Sequence, residues 1–246
     1  MLSTAETFSP GSPGGNSLPE QEENEVVMLN PFILSHPLVR PLYGFLKECN
    51  DSPLTREVLD CGAGGSRPPL TLFYEHGYSV YGIDITPQQV ELAQEYCMKA
   101  HITLPIMLGD ARHIPFKDES MSFIYSVNTL CHLSKRDTAA VMQEIERVLR
   151  KEGLCFVNFV SVDDCGFGRG KEVSVGEFIQ EEEWYSGIKK EGHICSYYED
   201  SEPDPYFEPF EILRKEKRIT ELVIEKTHPE GGDWQMADIC YTARKL

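Results

Sequence analysis

The sequence predicts an α/β fold in which a mostly parallel β-sheet carries helices on both sides. Between residues 37 and 160, short apolar runs of the strand type alternate with segments of helical periodicity. Such alternation is typical of parallel sheets covered by helices. The run Leu154–Val160 is almost continuously apolar, as expected for a strand buried on both faces.

The elements follow one another in a regular order. A first helix is predicted from Pro37 to about Asn50, because Leu42, Phe45 and Leu46 recur at helical spacing. The predicted strands are 57–61, 78–84, 104–108, 122–127 and 154–160. Of the predicted helices between them, one begins near Ser66 (with Pro68 and Pro69 in the first turn), one spans Pro87–Ala100, and one begins after Ser134, whose segment resembles a capping box.

The C-terminal part departs from this alternation. Two β-like runs, 219–226 and 235–243, follow each other without a helix, which predicts an antiparallel hairpin added to the sheet. Residues 161–212 are acidic and aromatic, and we interpret them as an insert or lid over the active site within a single domain spanning 31–246. Residues 1–30 are rich in Ser, Pro, Gly and Glu, and their composition predicts a disordered tail.

Composition excludes several classes of function. The net charge is −17, and a protein that binds nucleic acid through its phosphates needs clustered Lys and Arg. We interpret the short basic run 214–218 as a solvated helix face or strand edge. The eight cysteines form no Cys-x-x-Cys pair, so no metal site is predicted. With no apolar run long enough to span a membrane and no signal peptide, we expect a reduced, cytoplasmic protein.

Candidate ligand-binding groups follow four predicted strands. In an open α/β sheet, ligands bind beyond the carboxyl ends of the strands. The first strand leads into the glycine loop 62–65, where the lack of Cβ atoms allows close approach to a ligand. The second ends at Asp84, whose carboxylate can accept both hydroxyls of a ribose. The third ends at 109–111, where Asp110 can accept from an adenine amino group, and the fourth ends at 125–128.

These segments resemble the cofactor motifs of class I S-adenosylmethionine-dependent methyltransferases, especially the small-molecule (type 11/25-like) methyltransferase domains. The resemblance rests on "VLDCGAGGSRPP", "YGIDIT", "LGDARHIPF" and "SFIYSVNTLCHL", in order and spacing. It implies a Rossmann-like three-layer sandwich, a seven-stranded sheet with an antiparallel last strand, and S-adenosyl-L-methionine as cofactor.

The resemblance also implies roles for individual residues. Residues beside the methionine part of the cofactor would be Asp60, Gly62, Ala63 and Gly64. Asp84 would bind the ribose, with Ile85 beside the adenine. Asp110 and Ala111 would meet the adenine edge, and Ser126, Val127 and Asn128 would line the reactive face.

Two departures from the family pattern bear on the substrate. A third glycine, common two residues after Gly64, is Ser66 here. Asn128 is not part of an Asn-Pro-Pro-Tyr-like motif, which disfavours amino-directed methylation of nucleic acids or glutamine. A nicotinamide-dependent dehydrogenase would need glycine where Arg67 stands, so that helix and strand can pack closely.

The methyl acceptor is predicted to be a small molecule. The candidates for a base or a positioning group are His132, Tyr43, His193 and Tyr197. The net charge of −9 over 161–246 and the aromatic residues there suit a cationic acceptor. Two alternatives remain open: a protein methyltransferase, and a non-catalytic S-adenosylmethionine-binding regulator.

Overall fold

The computed structural model describes residues 39–183, 188–223 and 233–246. The predicted tail at 1–30 lies outside these ranges. Within them, the chain forms the predicted three-layer α/β sandwich. None of the helices described there has the length and apolar character needed to cross a lipid bilayer.

The helices begin and end where local chemistry favours it. The described α-helices are α1 (Leu42–Asp51), α2 (Thr71–Glu75), α3 (Pro87–Ala100) and α4 (Lys135–Val148), and the 3-10 turns are Ala111–His113, Leu130–His132 and Asp204–Phe207. Helix α3 has the predicted bounds: Pro87 suits its first turn, and His101 ends it in the left-handed conformation. The predicted cap of α4 is confirmed, since the Asp137 amide donates to Ser134 Oγ over 3.0 Å.

The main sheet contains seven of the described strands. The strands are β1 (Glu57–Cys61), β2 (Ser79–Asp84), β3 (Ile106–Leu108), β4 (Met121–Ser126), β5 (Leu149–Ser161), β6 (Lys171–Ser174), β7 (Glu177–Glu183), β8 (Ile188–Tyr198), β9 (Phe210–Val223) and β10 (Asp233–Lys245). The main sheet has the order β3-β2-β1-β4-β5-β10-β9. The pairs from β3 to β5 are parallel, whereas β10 is antiparallel to both β5 and β9. This confirms the predicted sheet with its antiparallel last strand.

Two hydrophobic clusters lie on opposite faces of this sheet. Successive residues of β1 belong to different clusters, Val58 to one and Leu59 to the other, because successive side chains of a strand point to opposite faces. Helices α1, α2 and α3 pack on the face that carries Val58. Helix α4 packs on the other face through Val141 and Ile145. Burial of both faces explains the nearly continuous apolar sequence of β5.

Residues 161–212, for which the sequence showed no clear periodicity, contain a small antiparallel sheet of β6, β7 and β8, here called the insert sheet. Its strand β8 pairs in parallel with the last two residues of β5, Val160 and Ser161, so the complete sheet has ten described strands. All four residues of β6 are exposed, so it lacks the alternation of apolar and polar residues by which strands are recognised in a sequence.

Several predicted boundaries are wrong. Strand β5 begins at Leu149, five residues before the predicted start. Helix α2 begins at Thr71 rather than after Ser66, because Arg67 and Pro68 each precede a proline and are disfavoured in the helical region. Strand β3 begins at Ile106, directly after Pro105, which cannot donate to a β-ladder. Strand β9 begins at 210, nine residues before the predicted start.

The earlier start of β9 places the basic run 214–218 in a strand at the edge of the sheet. Its bases pair with carboxylates of neighbouring elements. The pairs are Arg214 with Glu48, Lys215 with Asp204, Lys217 with Asp163 and Asp200, and Arg218 with Asp238. The interpretation as a strand edge is confirmed, and each of these bases has an acidic partner within the fold.

Candidate functional site

The glycine loop bends sharply over the end of β2. The amides of Gly62 and Ala63 both donate to the carbonyl oxygen of Ile83 over 2.9 Å, and the Gly65 amide donates to the Gln89 carbonyl in α3 over 2.9 Å. Gly62 has φ +102°, a conformation that favours glycine. The Ala63 side chain is buried in the core, so Ala63 contributes only its backbone to the surface of the loop. The loop therefore links β1, β2 and α3 at the carboxyl edge of the sheet.

Asp84 connects this loop to the end of β2. Its Oδ2 accepts from the Gly64 amide over 3.0 Å, and its Oδ1 accepts from the Thr86 amide over 2.9 Å. Each carboxylate oxygen has two lone pairs, so both keep the capacity to accept a ligand hydroxyl. Next to it, the Ile85 side chain is 56% exposed. A hydrogen-bond acceptor and an apolar surface thus lie side by side, as the predicted ribose and adenine contacts require.

Asp60 is a buried acid at the end of β1. Its side chain is 2% exposed, and its Oδ2 has no hydrogen-bond partner among the described residues. Burial raises the pKa of Asp60 to about 8; the nearby Tyr125 hydroxyl partly opposes this rise, and the Asp84 carboxylate adds to it. A buried carboxyl group without a partner costs stability unless it is protonated or a cation lies beside it.

This raised pKa predicts a pH-dependent stability. Because the pKa of Asp60 is about 8 in the folded protein and near 3.8 in the unfolded chain, the contribution of Asp60 is complete below about pH 4 and is lost as the pH rises to about 8. One pKa unit corresponds to about 1.4 kcal/mol, so the loss amounts to a few kcal/mol. Urea unfolding of the wild type and Asp60→Asn at about pH 5 and pH 8 measures it. The wild type should lose stability relative to the variant; a constant difference would contradict the pKa.

Asp110 is held by its own neighbour. Its two oxygens accept from the Arg112 side chain over 2.8–3.1 Å, and Oδ1 also accepts from the Arg112 amide over 2.9 Å. These hydrogen bonds lower the pKa of Asp110. Arg112 also pairs with Asp137 in α4. The predicted adenine acceptor is therefore already engaged, although Ala111 still begins the 3-10 turn beside it.

The end of β4 is positioned by a buried amide pair. The backbone amide of Asn128 donates to the side-chain Oδ1 of Asn158 over 2.8 Å. In return, Asn158 Nδ2 donates to the side-chain Oδ1 of Asn128 over 2.9 Å. Asn128 has φ +55°, which Asn tolerates better than most residues. The Ser126 hydroxyl donates to the Cys61 carbonyl over 2.7 Å, and Val127 is buried. The side chains of these residues support the strand end, and the backbone at Asn128 turns towards the site.

Two of the four candidate bases meet. The ring centroids of His132 and His193 lie 5.8 Å apart. One ring nitrogen of each histidine and Cys195 Sγ all lie within 4.8 Å of one another. Tyr197 is 4% exposed, and its hydroxyl accepts from Gln180 Nε2 over 3.1 Å. Burial raises the pKa of Tyr197 well above its usual value, which disfavours it as a base. Tyr43 packs from α1 against the core cluster that contains Val58.

Sequence reasoning missed three residues of this region. Asn158 is the single polar amide in the otherwise apolar run of β5, and this was the available sign of its role. Thr129 touches the glycine loop, since a Cβ on Gly62 would come within 1.9 Å of its Oγ1. Cys195 joins the two histidines only because β8 folds back beside the turn at 130–132. The last two contacts have no signal in local sequence.

The site fits S-adenosylmethionine. The cofactor carries a sulfonium and an ammonium cation, and Asp60 and Asp84 supply two acids at one edge of the sheet. The lone Oδ2 of Asp60 is a buried acceptor without a partner among the described residues, as expected where a ligand completes the site. The Asp84 carboxylate and the exposed Ile85 suit a nucleoside.

Comparison with known proteins agrees with this geometry. Residues 59–157 match a family model described as a methyltransferase domain. The methyltransferase GfsG of Streptomyces halstedii is 32% identical over 110 residues, 44% of this chain and 39% of the relative. The 2-methyl-6-phytyl-1,4-hydroquinone methyltransferase of Synechocystis sp. is 36% identical over 102 residues, 41% of this chain and 30% of the relative. The matched segment thus spans less than half the length of these relatives.

Solved structures share the fold. A SAM-dependent methyltransferase from Methanosarcina mazei superposes with a TM-score of 0.63 at 20% identity, over 81% of this chain and 97% of that chain. The 1,6-didemethyltoxoflavin-N1-methyltransferase of Burkholderia thailandensis, solved with S-adenosylhomocysteine, gives a TM-score of 0.56 at 15% identity, over 86% and 80%. Residues 59–157 therefore match a methyltransferase-domain family, and the fold is that of solved SAM-dependent methyltransferases.

Proposed function

We propose that this protein transfers a methyl group from S-adenosylmethionine to a small-molecule acceptor. The observation that carries the proposal is that the matched methyltransferase domain contains all four strand ends that form the site. The names of a relative, a hydroquinone methyltransferase, and of a structural neighbour, a didemethyltoxoflavin methyltransferase, denote small acceptors.

The chain's own residues have distinct tasks in this proposal. Asp84 binds the ribose, Ile85 covers the adenine, and the backbone of the glycine loop approaches the methionine part. Ala111 and the Asp110–Arg112 pair form the adenine edge, and the turn at 126–128 borders the reactive face. S-adenosylmethionine supplies an electrophilic methyl group, so the protein contributes mainly proximity and alignment.

The acceptor side is formed by residues that follow β4 and by the insert sheet. His132 lies after β4 and His193 lies on β8, so a molecule that contacts both histidines is held by groups from both sheets. We propose that 161–212 acts as a lid within the domain spanning 31–246 and that the two histidines position the acceptor.

Cofactor binding should release a proton from Asp60. With a pKa of about 8, Asp60 is mostly protonated at pH 7 in the free protein, and a cation beside it favours the carboxylate. We expect release of up to about one proton per cofactor bound at about pH 7. Calorimetric titration in buffers of different ionisation enthalpy measures this release. Asp60→Asn is the control, because it has no such proton; a wild-type binding enthalpy that is the same in all buffers would contradict the prediction.

Transfer itself is tested with methyl-labelled cofactor and a cell extract separated into protein and metabolite fractions. The proposal expects release of S-adenosylhomocysteine and label in the metabolite fraction. Label in protein bands would identify a protein methyltransferase instead. Tight cofactor binding without any S-adenosylhomocysteine would identify a regulator that binds the cofactor without using it.

A further inference from the structure

The cluster of His132, His193 and Cys195 combines three metal-ligating side chains. Their donor atoms, the ring nitrogens and Sγ, lie within 4.8 Å of one another. In a tetrahedral zinc site with bonds of about 2.0–2.3 Å, neighbouring donor atoms lie about 3.4–3.6 Å apart. The observed arrangement therefore needs a contraction of about 1 Å, which rotation of the exposed His132 side chain can supply.

The backbone fixes these residues relative to one another. His193 and Cys195 are two residues apart on β8 and point to the same face of the insert sheet. Ser196, next to Cys195, donates from its hydroxyl to the carbonyl of Leu133, next to His132, over 2.6 Å. The Lys135 amide also donates to Glu177 of β7. The 3-10 turn that carries His132 is thus anchored to β8, which carries the other two ligands, and the residue Lys135 that follows the turn is anchored to the neighbouring strand β7.

The buried side-chain amide of Gln180 lies next to the Cys195 thiol. The Cys195 thiol donates to Gln180 Oε1 over 3.4 Å, and Gln180 is only 4% exposed. Gln180 is itself held by Tyr197. Because the oxygen and nitrogen of an amide can exchange places by rotation, Gln180 can donate to a thiolate once the proton has left. Such outer-sphere hydrogen bonds orient metal ligands and tune their strength.

We propose that His132, His193 and Cys195 form a binding site for a zinc-class divalent metal ion, with a fourth position open to water or to a ligand group. Two imidazoles and one thiolate suit Zn²⁺, whereas carboxylate and carbonyl oxygens suit Mg²⁺ or Ca²⁺. Three protein ligands with one open position are the pattern of catalytic rather than closed structural zinc sites. On binding, the Cys195 S–H bond breaks, the sulfur coordinates the metal, and the proton goes to solvent.

The proposed metal site lies at the same edge of the sheet as the glycine loop. Its first ligand, His132, follows Thr129, which contacts Gly62. Its other ligands lie on β8 near the pairing of β8 with the end of β5. Two of its ligands are the histidines proposed to position the acceptor, but metal binding is measured without methyl transfer, so each proposal can be tested without the other.

Cobalt titration of the full chain without an affinity tag, after removal of metals with a chelator, tests the site. Co²⁺ bound to a thiolate gives a charge-transfer absorption, and tetrahedral Co²⁺ gives intense visible bands. We expect one Co²⁺ per chain, displaced by Zn²⁺. Cys195→Ser should abolish the charge-transfer band. His132→Ala, a change at an exposed position, should weaken binding at least 10-fold.

Matched controls separate this site from the other cysteines and histidines. Cys165→Ser and His113→Ala change residues outside the cluster and should leave the titration unchanged. S-adenosylmethionine affinity, measured in parallel, shows whether each variant is folded and whether the proposed cofactor site is intact. Absence of stoichiometric Co²⁺ binding in the wild type, or a thiolate band that persists in Cys195→Ser, would overturn the proposal. Neither result would affect the proposed methyl transfer.

Discussion

Replacement of Asp84 by alanine is expected to weaken S-adenosylmethionine binding by about 100-fold or more. The substitution removes the carboxylate proposed to accept both ribose hydroxyls, and hydrogen bonds to a charged group are worth about 1.5–3 kcal/mol each. It also removes the acceptor of the Gly64 and Thr86 amides, so the glycine loop loses one of its hydrogen bonds to β2. Calorimetric titration with S-adenosylmethionine measures the change.

Two further variants separate binding from folding. Asp84→Asn keeps an oxygen for the loop amides but removes the charge, so we expect an affinity between those of the wild type and Asp84→Ala. Asp51→Ala removes an exposed acid that pairs with Lys47 within α1, and it should change neither affinity nor stability. If Asp84→Ala is folded and binds the cofactor with unchanged affinity, the ribose role of Asp84 is wrong.

Gly62→Ala is expected to destabilise the fold by about 3 kcal/mol or more and to abolish measurable cofactor binding. At φ +102° an L-residue is strained by roughly 1–3 kcal/mol. The added Cβ would also fall 1.9 Å from Thr129 Oγ1, and overpacking of this kind costs about 1–3 kcal/mol more. Urea unfolding and cofactor titration measure the two effects.

Gly65 provides a matched control for this change. It has nearly the same conformation, with φ +101°, but a Cβ there would meet only Gln89 Oε1 at 3.6 Å. Gly65→Ala should therefore show the strain without the clash and lose less stability than Gly62→Ala. Thr129→Gly combined with Gly62→Ala should recover the part that is due to the clash. Equal losses in the two alanine variants would show that contact with Thr129 is unimportant.

Local patterns predicted the part of the fold that local chemistry controls. Helix α3 has its predicted bounds because Pro87 and the left-handed His101 act on adjacent residues. The cap at Ser134 depends on an amide only three residues away. Predictions were wrong where prolines at 68, 69 and 105 shifted the start of an element, and where β9 began nine residues before the run that predicted it. An edge strand such as β9 is stabilised by its partner β10, which local sequence does not report.

The candidate site likewise has residues that the sequence predicted and contacts that it did not predict. The glycine loop, Asp84 and Asp110 were recognisable because the carboxyl ends of parallel strands converge on one edge, so a group at the end of each strand is placed by topology alone. The engagement of Asp110 by Arg112 is also local, but its geometry depends on a side chain whose direction the sequence does not specify.

The sequence by itself determined the α/β class and the main sheet with its antiparallel last strand, and it predicted the cofactor, since these follow from periodicity, strand ends and motifs that resemble those of a known family. Only the tertiary structure decided the insert sheet, the pairing of Asn128 with Asn158, and the meeting of His132 with His193 and Cys195. The two side-chain contacts join residues about 30 and about 60 positions apart. Such distant pairs are selected by the packing of whole elements, which no pattern within one element encodes.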